Sequence, residues 1–207
     1  MSLSRRVLLS AVLPAAALPF LPARSMAAGT GQGVPLRALG NPGAKVTVEE
    51  WFSLTCTHCA RFANETFGEI KEKLIDTGRI RYVFCDFPLD QIALMAAQVA
   101  RSLPEDRYEP FISSLLATQD RWAFAENVNH QEQIRQLAAL AGMSADQFDR
   151  AVNNIALRDA ITSTMEKAEK DYNITGTPTF RFNNTVYRDG ELTFASFEKK
   201  VNEAAAG

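Results

Sequence analysis

The clearest pattern in the chain is a change of hydrophobic period just before residue 60. Residues 46–53 (Val-Thr-Val-Glu-Glu-Trp-Phe-Ser) are β-branched and aromatic and predict a strand that can be buried on both faces. Beyond Cys59 the apolar positions Phe62, Ala63, Phe67, Ile70 and Leu74 take helical spacing, which predicts a helix over about 58–76. Thr77-Gly78 ends it, and residues 79–87 read as a second strand. A strand, a helix and a strand with this crossover length imply a parallel pair. After Pro88 the period stays helical. Ile92, Met95, Ala96, Val99 and Leu103 mark one amphipathic helix, Tyr108, Phe111, Ile112, Leu115 and Leu116 a second, and Ile134, Leu137, Ala138 and Ala141 a third. The polar stretch between the second and third holds Trp122 and Phe124, read as anchors of the helical segment that can also border a peptide groove. Ser144 caps a short fourth helix, and Leu157, Ile161, Met165, Ala168 and Tyr172 stripe a longer fifth. Strand character returns at residues 179–182 and 185–188 around Asn183-Asn184, two residues that tolerate left-handed backbone, so a hairpin is expected. Asp189-Gly190 turns the chain into a last helix carrying Phe194, Phe197, Val201 and Ala204.

This order divides the chain. Residues 46–88 and 158–207 form an α/β domain, residues 89–157 an inserted helical domain, and residues 28–45, bearing Gly and Pro with little periodicity, an extended lead-in. Residues 1–27 read as a signal peptide: Arg5 and Arg6 precede an apolar run from Val7 to Phe20, and Ser25-Met26-Ala27 offers a small-residue cleavage site. Pro14 and Pro19 interrupt the run, which is short for a membrane span. Ser4-Arg5-Arg6-Val7-Leu8-Leu9 also resembles a twin-arginine signal, so the twin-arginine and general secretory routes both stand.

Composition narrows the class. With 207 residues, 46% of them hydrophobic, the chain can bury a substantial core. Its net charge of −2 excludes the basic footprint of a nucleic-acid binder. Cleavage after residue 27 removes Arg5, Arg6 and Arg24 from the 22 basic residues and none of the 24 acidic ones, leaving a soluble, mildly acidic protein of net charge −5. Export places its three cysteines where disulfides persist.

Two of those cysteines stand together, in Cys56-Thr57-His58-Cys59 on the strand-to-helix turn. A zinc site would want a second ligand pair, and only a solitary Cys85 and a solitary His130 remain. Haem attachment needs histidine directly after the second cysteine, where Ala60 stands. A redox dithiol needs only what is present, with no metal and no bound cofactor. The bland alternative is a short structural disulfide. Cys56 would lie at a helix N-terminus, where free N–H groups favour an anion, and a protonatable His58 would favour a thiolate further. Were its pKa to fall to about 4, the reduced form would gain roughly 4 kcal/mol at pH 7, on the order of 90 mV toward an oxidising couple. Cys85 reads as a buried small apolar residue, against a functional reading as a mixed-disulfide or metal-trapping thiol. His130, at a helix start, reads as a solvated surface residue.

Gly176-Thr177-Pro178-Thr179-Phe180 precedes the hairpin, with proline at the mouth of a strand. Together with Glu50-Trp51-Phe52-Ser53-Leu54-Thr55-Cys56-Thr57-His58-Cys59 and Phe84-Cys85-Asp86-Phe87-Pro88-Leu89, it makes nearly the whole chain after residue 27 resemble the DsbA-like thiol:disulfide oxidoreductases of the bacterial periplasm. The resemblance implies an α/β thioredoxin fold with a helical insertion between its strand-helix-strand and strand-strand-helix halves. It implies that Cys56 is the exposed nucleophile and Cys59 the buried resolving thiol. Pro178 would be cis and pack on the disulfide, Glu50 would assist proton transfer, and Thr177 would contact an extended substrate segment. Thr57, where the family's oxidases often carry proline, is counted with the substrate-facing residues and tunes the potential; Thr177 stands where strongly oxidising members often carry valine. The implied protein is a periplasmic monomer that oxidises reduced exported proteins and is recharged by a membrane-bound redox partner. The rivals are a reductase or isomerase using the same dithiol, and a non-catalytic peptide-binding or chaperone-like module.

Overall fold

In the computed structural model, which describes residues 33–207, strand β2 (Val46–Phe52) runs through the centre of a five-stranded sheet. The expected signal peptide lies outside the described residues. β2 pairs in parallel with β3 (Ile80–Asp86), from Val46 opposite Ile80 to Phe52 opposite Asp86. On its other side it pairs antiparallel with β4 (Thr179–Phe182), which turns through Asn183 into β5 (Thr185–Tyr187). Asn183 adopts φ of 50°, the left-handed conformation expected of a hairpin asparagine, and its side chain accepts from Thr47 N at 2.8 Å.

The period-2 alternation of β2 loads two different layers. Val46, Val48 and Phe52 join Ile80, Tyr82, Phe84, Phe180 and Phe182 in the main core, closed by Phe62 and Phe197. Trp51 points to the opposite face, against Phe87, Ala168 and Ile174. The strand is therefore buried on both sides, as its run of β-branched and aromatic residues predicts. The helical segment between β3 and β4 holds α3 (Gln91–Arg101), α4 (Glu105–Ala117), α5 (Gln119–Trp122), α6 (His130–Leu140), α7 (Ala145–Val152) and α8 (Ile155–Tyr172), and α9 (Phe194–Ala206) follows the hairpin. Ser144 begins α7 with a complete capping box to Gln147.

Two features depart from the expected pattern. The helix expected over 58–76 is divided into α1 (Thr57–Glu65), α2 (Phe67–Ile70) and a π-helical turn (Lys71–Ile75). Phe62 and Phe67 are both buried, yet five positions of an unbroken α-helix would set them about 140° apart, so the backbone breaks at Thr66 and brings Phe67 back to the core. The lead-in, in turn, contributes a strand. β1 (Ala38–Gly40) pairs antiparallel with β3 at the sheet edge. Gly40 sits at φ of 83°, and a Cβ there would stand 2.3 Å from Ile80 O, so only glycine fits.

A buried ion pair ties these parts together. Arg101, at the end of α3, donates from Nε to Asp86 Oδ2 at 2.6 Å, and its other nitrogens donate to Pro35 O and Phe84 O. One guanidinium thus joins lead-in, sheet and helical segment, with the Tyr108 ring centred 4.8 Å from it. Removing one partner strands the other charge in the core. Asp86→Ala is expected to lower stability by about 3–5 kcal/mol in urea unfolding, whereas Asp76→Ala, which breaks an exposed pair with Lys71, is expected to change it by less than about 1 kcal/mol.

Candidate active site

β2 ends at Phe52, and the next four residues form a turn held from three sides. Cys56 N donates to Ser53 O at 3.1 Å, and Phe87 N, just past β3, donates to Phe52 O at 2.8 Å. Thr55 Oγ1 donates to Asp90 Oδ2 at 2.6 Å, while Asp90 Oδ1 caps α3 through Ala93 N. From the helical segment, the buried Gln119 amide donates to both Leu54 O (2.8 Å) and Cys56 O (3.0 Å). These bonds fix the backbone on either side of the first cysteine before any substrate arrives.

Cys56 is the N-cap of α1, and its Sγ accepts the Cys59 N–H at 3.4 Å. Its thiol also donates to Thr177 O at 3.3 Å, which brings the Thr177-Pro178 segment against the dithiol; that peptide bond is cis. Cys56 and Cys59 are both free thiols and both are buried, Cys56 at 7% exposure rather than the exposed nucleophile expected, because Thr177 and Pro178 pack against it. Their environments differ sharply. Hydrogen bonding from the Cys59 thiol, opposed by burial and aided by the N–H groups of Cys59 and His58, pulls Cys56 down to a pKa of about 6. Burial first, then the bond to Cys56 and the charges of Cys56 and Glu50, push Cys59 well up.

The remaining expected residues fall into two groups. Glu50 is buried in the main-core face of β2, where Tyr82 Oη donates to its Oε2 at 2.7 Å. Burial raises its pKa to about 7, against the Tyr82 bond and with a further rise from Cys56. His58 points elsewhere. Its Nδ1 donates to Glu191 Oε2 at 2.6 Å in an exposed cluster with Arg61, so the help it gives Cys56 comes through its backbone N–H rather than through the imidazole. Thr57 is exposed in the first turn of α1, and Thr177 Oγ1 is sheltered with no hydrogen-bond partner among the described residues.

Cys85 lies opposite Trp51 on the other face of the sheet from Cys56 and Cys59, and burial raises its pKa well above that of a free thiol. His130 begins α6, but it is half-buried and bonded to Trp122 O at 2.8 Å, not freely solvated. Phe124 is exposed beside the end of α5, whereas Trp122 is fully buried. Gln119, Tyr82, Asp90 and Glu191 were not singled out from the sequence. Only Asp90 carried a usable signal, as a helix cap preceding an apolar stripe. Among the described residues, no cluster of three or more potential metal ligands occurs, and no helix is long and apolar enough to cross a membrane.

Comparison with known proteins agrees with this geometry. A thioredoxin family model matches residues 34–203. A candidate protein-disulfide oxidoreductase of Rickettsia conorii is 32% identical over 167 residues, 80% of this chain and 59% of the relative. The thiol:disulfide interchange protein DsbA of Pectobacterium carotovorum is 28% identical over 165 residues, 76% of each chain. The crystal structure of Wolbachia pipientis alpha-DsbA1 superposes with a TM-score of 0.75 at 27% identity, covering 83% of this chain and 92% of that one. The chain belongs to the thioredoxin family, as a DsbA-like member with a helical insertion between the two halves of the fold. It spans about three fifths of the length of the Rickettsia relative.

The asymmetry of the two thiols has a direct readout. In the reduced protein, Cys56 is expected to react with iodoacetamide along a single titration with its midpoint near pH 6, with thiolate absorbance at about 240 nm following the same curve. Cys59 is expected to stay unmodified until the protein unfolds, as checked by peptide mass mapping.

Proposed function

We propose that this protein is a thiol:disulfide oxidoreductase that donates the Cys56–Cys59 disulfide to reduced exported proteins in the periplasm. What carries the reading is the different placement of the two thiols: Cys56 Sγ caps α1 and accepts the Cys59 N–H, which favours its thiolate, whereas Cys59 is fully buried one turn along, which favours its protonated form. A substrate thiolate attacks Cys56 Sγ, the Cys56–Cys59 bond breaks, and Cys59 leaves as a thiolate that takes a proton from Glu50. A second substrate thiolate then attacks the substrate sulfur of the mixed disulfide, forming the substrate disulfide and releasing Cys56 as a thiolate. Once Cys56 is in a disulfide it no longer has an S–H, so Thr177 O is free to accept an N–H from an extended substrate segment. Thr57 faces the same approach. The basic, apolar N-terminal stretch supports export, by either secretory route, and a membrane-bound partner would reoxidise the monomer.

The thiolate contributes only part of the driving force. With Cys56 at about 6, one unit below pH 7, the reduced form gains at most about 1.4 kcal/mol, roughly 30 mV, where a pKa of about 4 would have given some three times as much. This gain grows as pH rises from about 6 toward the ordinary thiol range and vanishes below 6. Together with Thr177, that modest term favours the second reading, a reductase or isomerase, more than a deeply acidic thiol would.

Equilibration with glutathione separates the two. A donor is expected to show a potential more oxidising than about −200 mV and a reduced form that unfolds at higher temperature than the oxidised one. A strongly reducing potential with the more stable oxidised form would assign the reductase role. Cys59→Ala is expected to accumulate long-lived adducts with an unfolded protein that carries a disulfide, because Cys56 attacks one sulfur, the other leaves as a thiolate, and no second cysteine resolves the mixed disulfide; a folded variant without adducts would leave only the peptide-binding module.

A further inference from the structure

The proton step above runs through Glu50, and the structure gives this carboxylate one hydrogen-bonding side chain, the Tyr82 hydroxyl at 2.7 Å. Both residues lie on the main-core face of neighbouring parallel strands, Glu50 at 5% exposure and Tyr82 at 0%. Around them α1 offers Phe62 with Cys56 and Cys59, β4 offers Phe180, and α9 offers Phe197. The titratable groups facing Glu50 are thus the two thiols and Tyr82. No cation is within hydrogen-bonding or ion-pairing distance of this carboxylate among the described residues. A carboxylate buried among phenyl rings is held strongly toward its protonated form unless a donor compensates.

We propose that Tyr82 is the positioning residue of the proton step: its hydroxyl orients Glu50 toward the dithiol and holds the carboxylate that remains when the proton is passed on. This rests on the oxidoreductase reading and specifies how its buried acid works. When Cys59 leaves as a thiolate, Glu50 gives up its proton to that sulfur, and the carboxylate left behind is held by the Tyr82 O–H. In the reverse direction Cys59 gives its proton to Glu50 as its sulfur bonds to Cys56 Sγ and the substrate thiolate departs. Tyr82 itself neither gains nor loses a proton. Its own ionisation is suppressed by burial and by the neighbouring Glu50 charge, so it acts as a fixed donor throughout. A lysine there would add a charge; tyrosine supplies a hydrogen bond without one.

The test is Tyr82→Phe, which removes one oxygen and keeps the ring packed against Phe67, Phe84 and Phe197. Losing a hydrogen bond to a charged group is expected to raise the Glu50 carboxyl titration by about one to two pH units, read by isotope-edited infrared or carbon NMR of the reduced protein. Resolution of a Cys56 mixed disulfide by Cys59 is expected to slow about ten-fold at pH 7, recovering as pH rises, while the Cys56 alkylation midpoint moves by less than half as much as Glu50 does. In the Glu50→Gln background the same substitution is expected to leave the rate and its pH profile unchanged. An unshifted Glu50 titration, or an equal slowing with and without Glu50, would overturn the proposal. If Tyr82→Phe does not fold, the unaltered protein decides: the Tyr82 Cζ and Glu50 carboxyl signals must titrate with one midpoint, and independent midpoints would sink the idea. A wild-type protein that fails to exchange disulfides defeats the oxidoreductase reading, while the carboxyl titration still judges the Tyr82 contact.

Discussion

A sulfur placed as the N-cap of a helix receives N–H groups that the helix cannot use itself, and that placement governs the rest of this structure. Cys56 caps α1, and the Cys59 N–H points at its Sγ. The Cys59 thiol first, and then the capping N–H groups, make the first cysteine acidic, while the second lies one turn along a helix whose inner face is core. Cys59 is fully buried beside Phe62, and its sulfur has little access to water. Two chemically identical side chains three positions apart therefore acquire opposite preferences for charge, because one ends a helix and the other is inside it.

Beyond the local bonds from Cys56 N to Ser53 O and from Cys59 N to Cys56 Sγ, what holds Cys56 in the capping position comes from distant parts of the chain. The Leu54 and Cys56 carbonyls accept from Gln119, more than sixty residues later, and Thr55 is tied to Asp90. Thr177 O meets the thiol from a segment that follows the whole helical region. The helical segment is thus part of the redox site: α5 is only four residues long, yet it carries the amide that satisfies two carbonyls of the turn. The Cys56 carbonyl also accepts from Ala60 N at 3.0 Å, so it is Leu54 O that depends on that amide for its hydrogen bond, which ties the turn's order to the packing of α5.

The elements that organise the site were legible where one local force dominates. β2 and β3 announce themselves through continuous β-branched and aromatic residues, the hairpin through Asn183-Asn184, and α7 through Ser144. The redox turn was legible because a strand, two cysteines and a helix are contiguous. What could not be read depends on contacts between remote residues. β1 has only three residues, and its pairing is decided by β3 and by Gly40 rather than by its own propensity. The break at Thr66 follows from the core's need for both Phe62 and Phe67, which no single helical face provides. Gln119, Tyr82 and Glu191 are ordinary letters in their own neighbourhoods.

His58 shows the same limit from the other side. Its place between the cysteines suggested an imidazole aimed at the thiolate, whereas the ring is engaged by Glu191, from the loop before α9, and Arg61 shares the same carboxylate. A carboxylate neutralises much of the field an imidazolium would exert on Cys56, so the thiolate here relies on fixed N–H dipoles more than on a mobile charge. Those N–H donors stay in place when the sulfur changes between thiolate and disulfide, whereas the Cys59 S–H, the strongest donor, is present only in the dithiol. The same logic holds below the dithiol, where Tyr82 provides Glu50 with an uncharged donor in a layer of phenyl rings. Both acids of the site, one thiol and one carboxyl, are thus tuned by oriented dipoles in the interior, and the charged side chains remain at the rim.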